Sequence, residues 1–225
     1  MTERRRYDCR RTVGATLAGG TLEPGAWADI AWTADFVDIE TGCDAPAARR
    51  ARAKLAWNDS GLFVLAHLVD TDVSAKVTKG GPEILRDNTF ELLLDPDCDG
   101  LNYYEVQINA LGACWELALP KPYSAGGVAD PGGRVAGMAR AVTVYGMLND
   151  SSRVDDGWEV SLALPWSGLI PFHRLRQCPP TRGDAWRINM ARLQWSVEGK
   201  EYWVWSVQGE LNLHAPAQWG DLVFG

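Results

Sequence analysis

The chain has 225 residues, 46% of them hydrophobic and 23% charged, the balance of a folded globular protein rather than a disordered one. A net charge of −7, with no continuous basic face beyond the first eleven residues, argues against a nucleic-acid partner. No run reaches the roughly 18–20 apolar residues of a membrane span, so no membrane partner is expected.

The N-terminal stretch MTERRRYDCRRTVG has no apolar stretch of the kind a signal peptide requires. As written the chain is expected in the cytoplasm, or secreted or periplasmic if a leader is missing. Residues 1–24 are basic and then Gly-rich, and read as a solvated N-terminal extension with at most one edge strand. Trp27, Ile30, Trp32 and Phe36 follow at irregular spacing and are expected to plug one end of the fold. Arg52–Ala56 and Leu62–Asp70 read as a hairpin around Asn58-Asp59-Ser60-Gly61, residue types that favour tight turns. Apolar residues on both sides of Leu62–Leu68 mark a strand buried on both faces.

Residues 71–86 form a polar loop. Two runs then flank an acidic turn, Phe90–Asp95 and Tyr103–Asn109. In the second, Tyr104, Val106 and Ile108 alternate with Glu105, Gln107 and Asn109, the period of a strand with one apolar and one polar face. Residues 120–134 are a Pro- and Gly-rich excursion. Ala141–Leu148 and Trp158–Leu164 form another strand pair, and Pro165–Leu169 begins a short helix. A second Pro-rich loop runs to Gly183, Trp186–Trp195 is a strand, and Tyr202–Val207 and Asp221–Phe224 close the chain. Many short strands without helical periodicity predict an all-β fold, an antiparallel β-sandwich of jelly-roll type with one or two short helices. No linker divides it, so residues 1–225 read as a single domain.

The polar face of Tyr103–Asn109 suits a hydroxyl-rich ligand. Glu91, Glu105, Gln107 and Asn109 are expected to share it with Arg187 and Asn189, giving carboxylate, amide and guanidinium for paired hydroxyls. Arg192 is a further candidate, although it lies on the opposite parity from Arg187, so that only a bulge presents both to one ligand. Asp95, Asp97 and Asp99, with Gly100, read either as the first half of a calcium loop or as a plain acidic hairpin turn. The twelfth position of an EF-hand frame falls on Val106, which excludes that motif. The five cysteines are scattered and no histidine pair has zinc spacing.

The order of six segments, LAWNDSGLFVLAHLVDTDV, DNTFELLLDPD, YYEVQINALGA, GWEVSLALPW, WRINMAR and HAPAQWGDLVF, resembles carbohydrate-binding module family 9 and its stand-alone relatives over residues 25–225. The resemblance implies a β-sandwich that binds mono- or oligosaccharides without catalysis, often attached to xylanases, with structural calcium in some members. It also implies that Glu91 hydrogen-bonds sugar hydroxyls. At the two positions where sugar-binding members carry clamping tryptophans, this chain has Leu85 and Leu213. Tyr103, Tyr123, Trp115, Trp195 and Trp203 are the aromatics available to replace them. Three other readings remain at this stage: a glycoside hydrolase of xylanase type using Glu91 and Glu105, a haem protein ligated by Met190 and His214, and a structural or protein-binding domain without a sugar.

Overall fold

Alternating side chains write twelve segments of the described backbone into strands. The computed structural model describes residues 4–12, 22, 24–197 and 199–225. Among them the strands are β1 (Arg6–Arg11), β2 (Val37–Asp38), β3 (Ala51–Trp57), β4 (Gly61–Leu68), β5 (Thr89–Asp95) and β6 (Tyr103–Asn109). They continue as β7 (Cys114–Leu119), β8 (Ala139–Tyr145), β9 (Gly157–Pro165), β10 (Ala185–Ser196), β11 (Gly199–Val204) and β12 (Gly220–Phe224). One short helix, α1 (Trp166–Leu169), and several 3₁₀ turns connect them. No helix among the described residues is long and apolar enough to cross a membrane.

The strands join into one curled sheet in the order β7-β6-β5-β10-β12-β1-β3-β4-β9-β8, with β11 pairing β10 and β2. The sheet is mixed, which corrects the purely antiparallel expectation. Both parallel ladders belong to β1, which lies between β12 and β3. Residues 6–11, expected in a solvated extension, are therefore an interior strand. Their alternation is masked by arginine: Tyr7 and Cys9 are buried while Arg6, Asp8 and Arg10 face out. The Tyr7 hydroxyl donates to Ala31 O at 2.7 Å and accepts the Leu55 N–H at 3.1 Å. The Gly-rich segment 13–21 lies outside the described residues.

Both arms of the sheet contribute to one apolar core. Phe90, Leu92 and Leu94 of β5, Val106 and Ile108 of β6, and Ile188 and Met190 of β10 share a cluster with Leu62, Val64 and Ala66 of β4 and Val160 and Leu162 of β9. Each fully buried side chain of this size contributes about 1.5–3 kcal/mol. That burial commits the even-numbered positions of β5, β6 and β10 to the core, and leaves their odd-numbered positions on the opposite face.

β10 has an unusual edge. Its first half, Ala185–Ile188, pairs with β12, and its second half, Ala191–Ser196, pairs with β11. Asn189 sits where the two neighbours part. Its Nδ2 donates to Ser206 O at 2.9 Å, and its Oδ1 accepts the Met190 and Ser206 N–H groups, both at 2.9 Å. From there residues 205–219 loop out over the odd-numbered face before returning as β12.

Candidate functional site

Register builds the floor of a cavity on that face. Glu91 pairs with Gln107 across the β5–β6 ladder, and Leu93 pairs with Glu105, so Glu91, Glu105 and Gln107 form one polar patch. Trp115 and Leu117 of β7 extend it on one side, and Leu193 of β10 with Tyr202 and Lys200 of β11 on the other. Connecting segments supply the walls: Leu85 from the 3₁₀ turn Pro82–Arg86, Tyr123 from the turn Tyr123–Ala125, and Leu211, Asn212, Leu213 and His214 from the loop after β11. Together these residues enclose about 420 Å³. A second apolar cluster, including Ile39, Leu93, Leu117, Leu193, Leu213 and Trp219, surrounds the polar patch.

The floor is dry and short of donors. Glu91 and Glu105 are 0% and 1% exposed, and Gln107 is 4% exposed. Glu91 receives one weak hydrogen bond, from the Thr89 hydroxyl at 3.3 Å. Gln107 Nε2 donates to Glu105 Oε1 at 2.7 Å. Glu91 Oε2, Glu105 Oε2 and Gln107 Oε1 are buried without a hydrogen-bond partner. Such atoms ordinarily cost stability unless something satisfies them. Burial is the main reason the Glu91 carboxyl titrates well above its ordinary value, with the neighbouring Glu105 charge adding to it. Burial also pushes Glu105 up to about 7.

Lys200 and His214 border the floor, and only Lys200 acts on its charge, by attracting Glu91. Burial pulls the Lys200 ammonium down, against the attraction of Glu91. That ammonium lies over the rings of Trp195 and Tyr202, 5.5 and 5.4 Å from their centroids. Burial lowers His214 to about 4, so it is neutral at physiological pH. Its Nδ1 stands 3.2 Å from the Tyr103 hydroxyl and its Nε2 stands 3.7 Å from Glu105 Oε2, too far for a hydrogen bond. Tyr123 packs edge-on against the same ring at 4.6 Å.

The other candidates named from the sequence lie elsewhere. Asn109 builds a turn: its Nδ2 donates to Val77 O and Asp87 Oδ2, and its Oδ1 accepts the Leu111 and Ala113 N–H groups. Asn189 holds the split in β10 described above. Arg187 pairs across the ladder with Asp221 at 3.1 Å. Arg192 points into the opposite, core side of the sheet, where it is fully buried. It contacts Asp70 at 3.1 Å and donates to Gln194 Oε1 and Val69 O.

The acidic turn does not fit calcium. Asp95 accepts the Cys98 and Gly100 N–H groups. Asp97 accepts those of Arg174, Leu175 and Arg176, and Asp99 accepts that of Leu101. These oxygens tie the turn together, with Cys98 and Gly100 at positive φ, and no metal-ligating group of acids, His or Cys forms among the described residues. The haem pairing is also excluded by geometry, because Met190 belongs to the main core while His214 lies across the sheet in the cavity.

Of the replacement aromatics, Trp115 and Tyr123 line the cavity, Tyr103 lies buried beside it, and Trp195 and Trp203 are not among its lining residues. Leu85 and Leu213 do line it. Lys200, Tyr202, Leu211 and Asn212 were not anticipated from the sequence. Lys200 and Tyr202 share the parity of a short strand, GKEYWV, whose alternation carries that signal weakly. The loop residues have no periodicity to betray them.

Comparison with known proteins agrees with this geometry. Residues 19–129 match the family described as "Carbohydrate family 9 binding domain-like". Among curated proteins none matches the chain. A crystal structure of a candidate carbohydrate-binding protein from Bacteroides uniformis ATCC 8492 superposes with a TM-score of 0.73 at 17% identity, covering 99% of this chain and 100% of that one. A carbohydrate binding module family 9 from Caldicellulosiruptor kristjanssonii, in complex with cellotriose, gives 0.63 at 15% identity, covering 98% and 93%. The module from the same organism in complex with glucose gives 0.62 at 14% identity, covering 98% and 96%. At such identities the superpositions speak for the fold. The family match over residues 19–129 is what assigns a carbohydrate-binding module family 9-like domain to this chain.

Proposed function

We propose that this chain binds a saccharide, without catalysis, in the cavity floored by Glu91, Glu105 and Gln107. One observation carries the reading: three buried oxygens on the floor of a concave site have no hydrogen-bond partner of their own. Sugar hydroxyls both donate and accept, so they can partner these oxygens with the carboxyls ionised or protonated. The apolar surround of Leu85, Trp115, Tyr202 and Leu213 suits the C–H faces of a pyranose. The family 9 modules with cellotriose and glucose make gluco-configured sugars the first ligands to try, with xylo-oligosaccharides beside them.

Of the seven ligand candidates from the sequence, Glu91, Glu105 and Gln107 take the ligand role in this reading. Asn109, Arg187, Asn189 and Arg192 hold the scaffold. Lys200, Asn212 and His214 join the site. We read the curled sheet as two stacked layers of one domain, the β5–β6–β10 arm carrying the cavity on its outer side.

Hydrolysis is disfavoured by the placement of the acids. A glycosidase sets its two carboxyls on either side of the scissile bond. Here Glu91 and Glu105 are diagonal neighbours on adjacent strands of one floor. Isothermal titration with glucose, cellotriose and xylotriose tests the proposal. Millimolar or tighter binding that Glu91→Gln removes, with no sugar cleaved, supports it; no heat from any of them at tens of millimolar rejects it.

A further inference from the structure

We propose that the preferred ligand of this cavity is an amino sugar, a hexosamine or hexosamine oligomer whose free amine enters as an ammonium between Glu91 and Glu105. The inference rests on the saccharide reading above and narrows it to a ligand class.

Once Glu91 and Glu105 give up their protons, the unpartnered atoms on the floor all have one sign. Glu91 Oε2, Glu105 Oε2 and Gln107 Oε1 are acceptors. The amide of Gln107 cannot reverse this, because its Nε2 is already spent on Glu105 Oε1. A neutral sugar hydroxyl brings one donor and no charge, whereas an ammonium brings three donors and a full positive charge. Two buried carboxyls side by side repel when both ionise, and a cation between them removes that repulsion.

The protein's own cations do not do this. Lys200 attracts Glu91 from over two aromatic rings but makes no ion pair with either carboxyl, and His214 is held neutral by burial. The remaining titratable neighbours, Tyr103, Tyr123 and Tyr202, are phenols raised by burial and by these same carboxylates, so they stay uncharged. The walls do not discriminate. Leu85, Trp115, Tyr202 and Leu213 offer apolar contact to a pyranose whether or not it carries an amine, so selectivity falls to the acidic floor.

An entering ammonium has a pH signature. Both carboxyls hold their protons to unusually high pH in the empty site, so a cationic ligand must displace protons. Its affinity then rises as pH increases from 5 toward 7, and falls above roughly 8, where a free amine loses its own charge.

The test is isothermal titration of the full chain with glucosamine, N-acetylglucosamine and glucose at several pH values. At pH 7 we expect glucosamine to bind at least about tenfold more tightly than either of the others, with a bell-shaped pH profile that glucose lacks. Glu91→Gln and Glu105→Gln should each bring glucosamine down to the level of glucose. If glucose or N-acetylglucosamine binds as tightly as glucosamine, the amine preference is wrong while the sugar site stands. If ethanolamine binds as tightly as glucosamine, the sugar is not being recognised and the inference is likewise wrong. If nothing binds, both readings fall. Should the glutamine variants not fold, the wild-type pH profile and the comparison with N-acetylglucosamine still decide.

Discussion

Two buried polar groupings sit on opposite faces of β5, β6 and β10, and they are finished differently. On the core side, Arg192 meets Asp70, Gln194 and Val69 O, so each charge has partners. Burial lowers the guanidinium to about 10 and raises the Asp70 carboxyl, and their attraction offsets part of that cost. On the cavity side, Lys200 attracts Glu91 but makes no ion pair with it or with Glu105, and three oxygens are left open. A closed network of this kind holds strands in place, whereas an open one of the same depth is a cost to folding that a ligand can recover. The contrast separates residues that keep the fold from residues we propose to meet the sugar.

The largest effect we expect from breaking that contrast comes from the closed side. Arg192→Ala leaves Asp70 buried with only Arg49, 3.9 Å away, to offset its charge, and should cost about 3–5 kcal/mol of stability in denaturant titration. Next is the open side. Glu105→Gln removes a buried charge whose one hydrogen bond comes from Gln107, so folding stability at pH 8 should hold or rise. Sugar affinity should fall by about 1.5–3 kcal/mol, the range of a hydrogen bond to a charged group.

Stability against pH sharpens the comparison further. Glu105 titrates at about 7 in the folded chain and near ~4.3 when unfolded, so the folded state binds the extra proton. Folding stability should therefore decline as pH rises through that window. Glu91 shifts in the same direction and adds to the decline. Glu105→Gln should flatten the slope in urea melts at pH 5, 6, 7 and 8.

Smaller again is Leu213→Trp, which restores a ring at the cavity wall and should raise affinity for cellotriose by about 0.5–1.5 kcal/mol. Tyr145→Phe is the null case. Tyr145 lies on β8, donates to Glu159 at 2.5 Å and is not among the residues lining the cavity, so sugar affinity should not move.

Much of the site was legible because strand alternation is a local signal. The β6 run was readable at both ends, and the parity that buries Val106 places Glu105 and Gln107 beside Glu91. Leu85 and Leu213 were legible through family resemblance, not through any pattern of their own. The parallel ladders of β1 were not, since they join segments from near the two ends of the chain and leave no mark on either. β7 escaped notice because CWELAL buries its alternate positions only in part. Asn109, Asn189 and Arg187 shared the right parity with Glu91 but lie where turns, a strand split and an ion pair use their polar atoms, and parity alone does not distinguish those demands.

The most direct test of the cavity is a ¹⁵N–¹H NMR titration with glucose and glucosamine. We expect shift changes gathered on Glu91, Glu105, Gln107, Lys200 and residues 211–214, with β3, β4, β8 and β9 unmoved. Changes gathered on β3, β4, β8 and β9, or none at saturating sugar, would contradict the account.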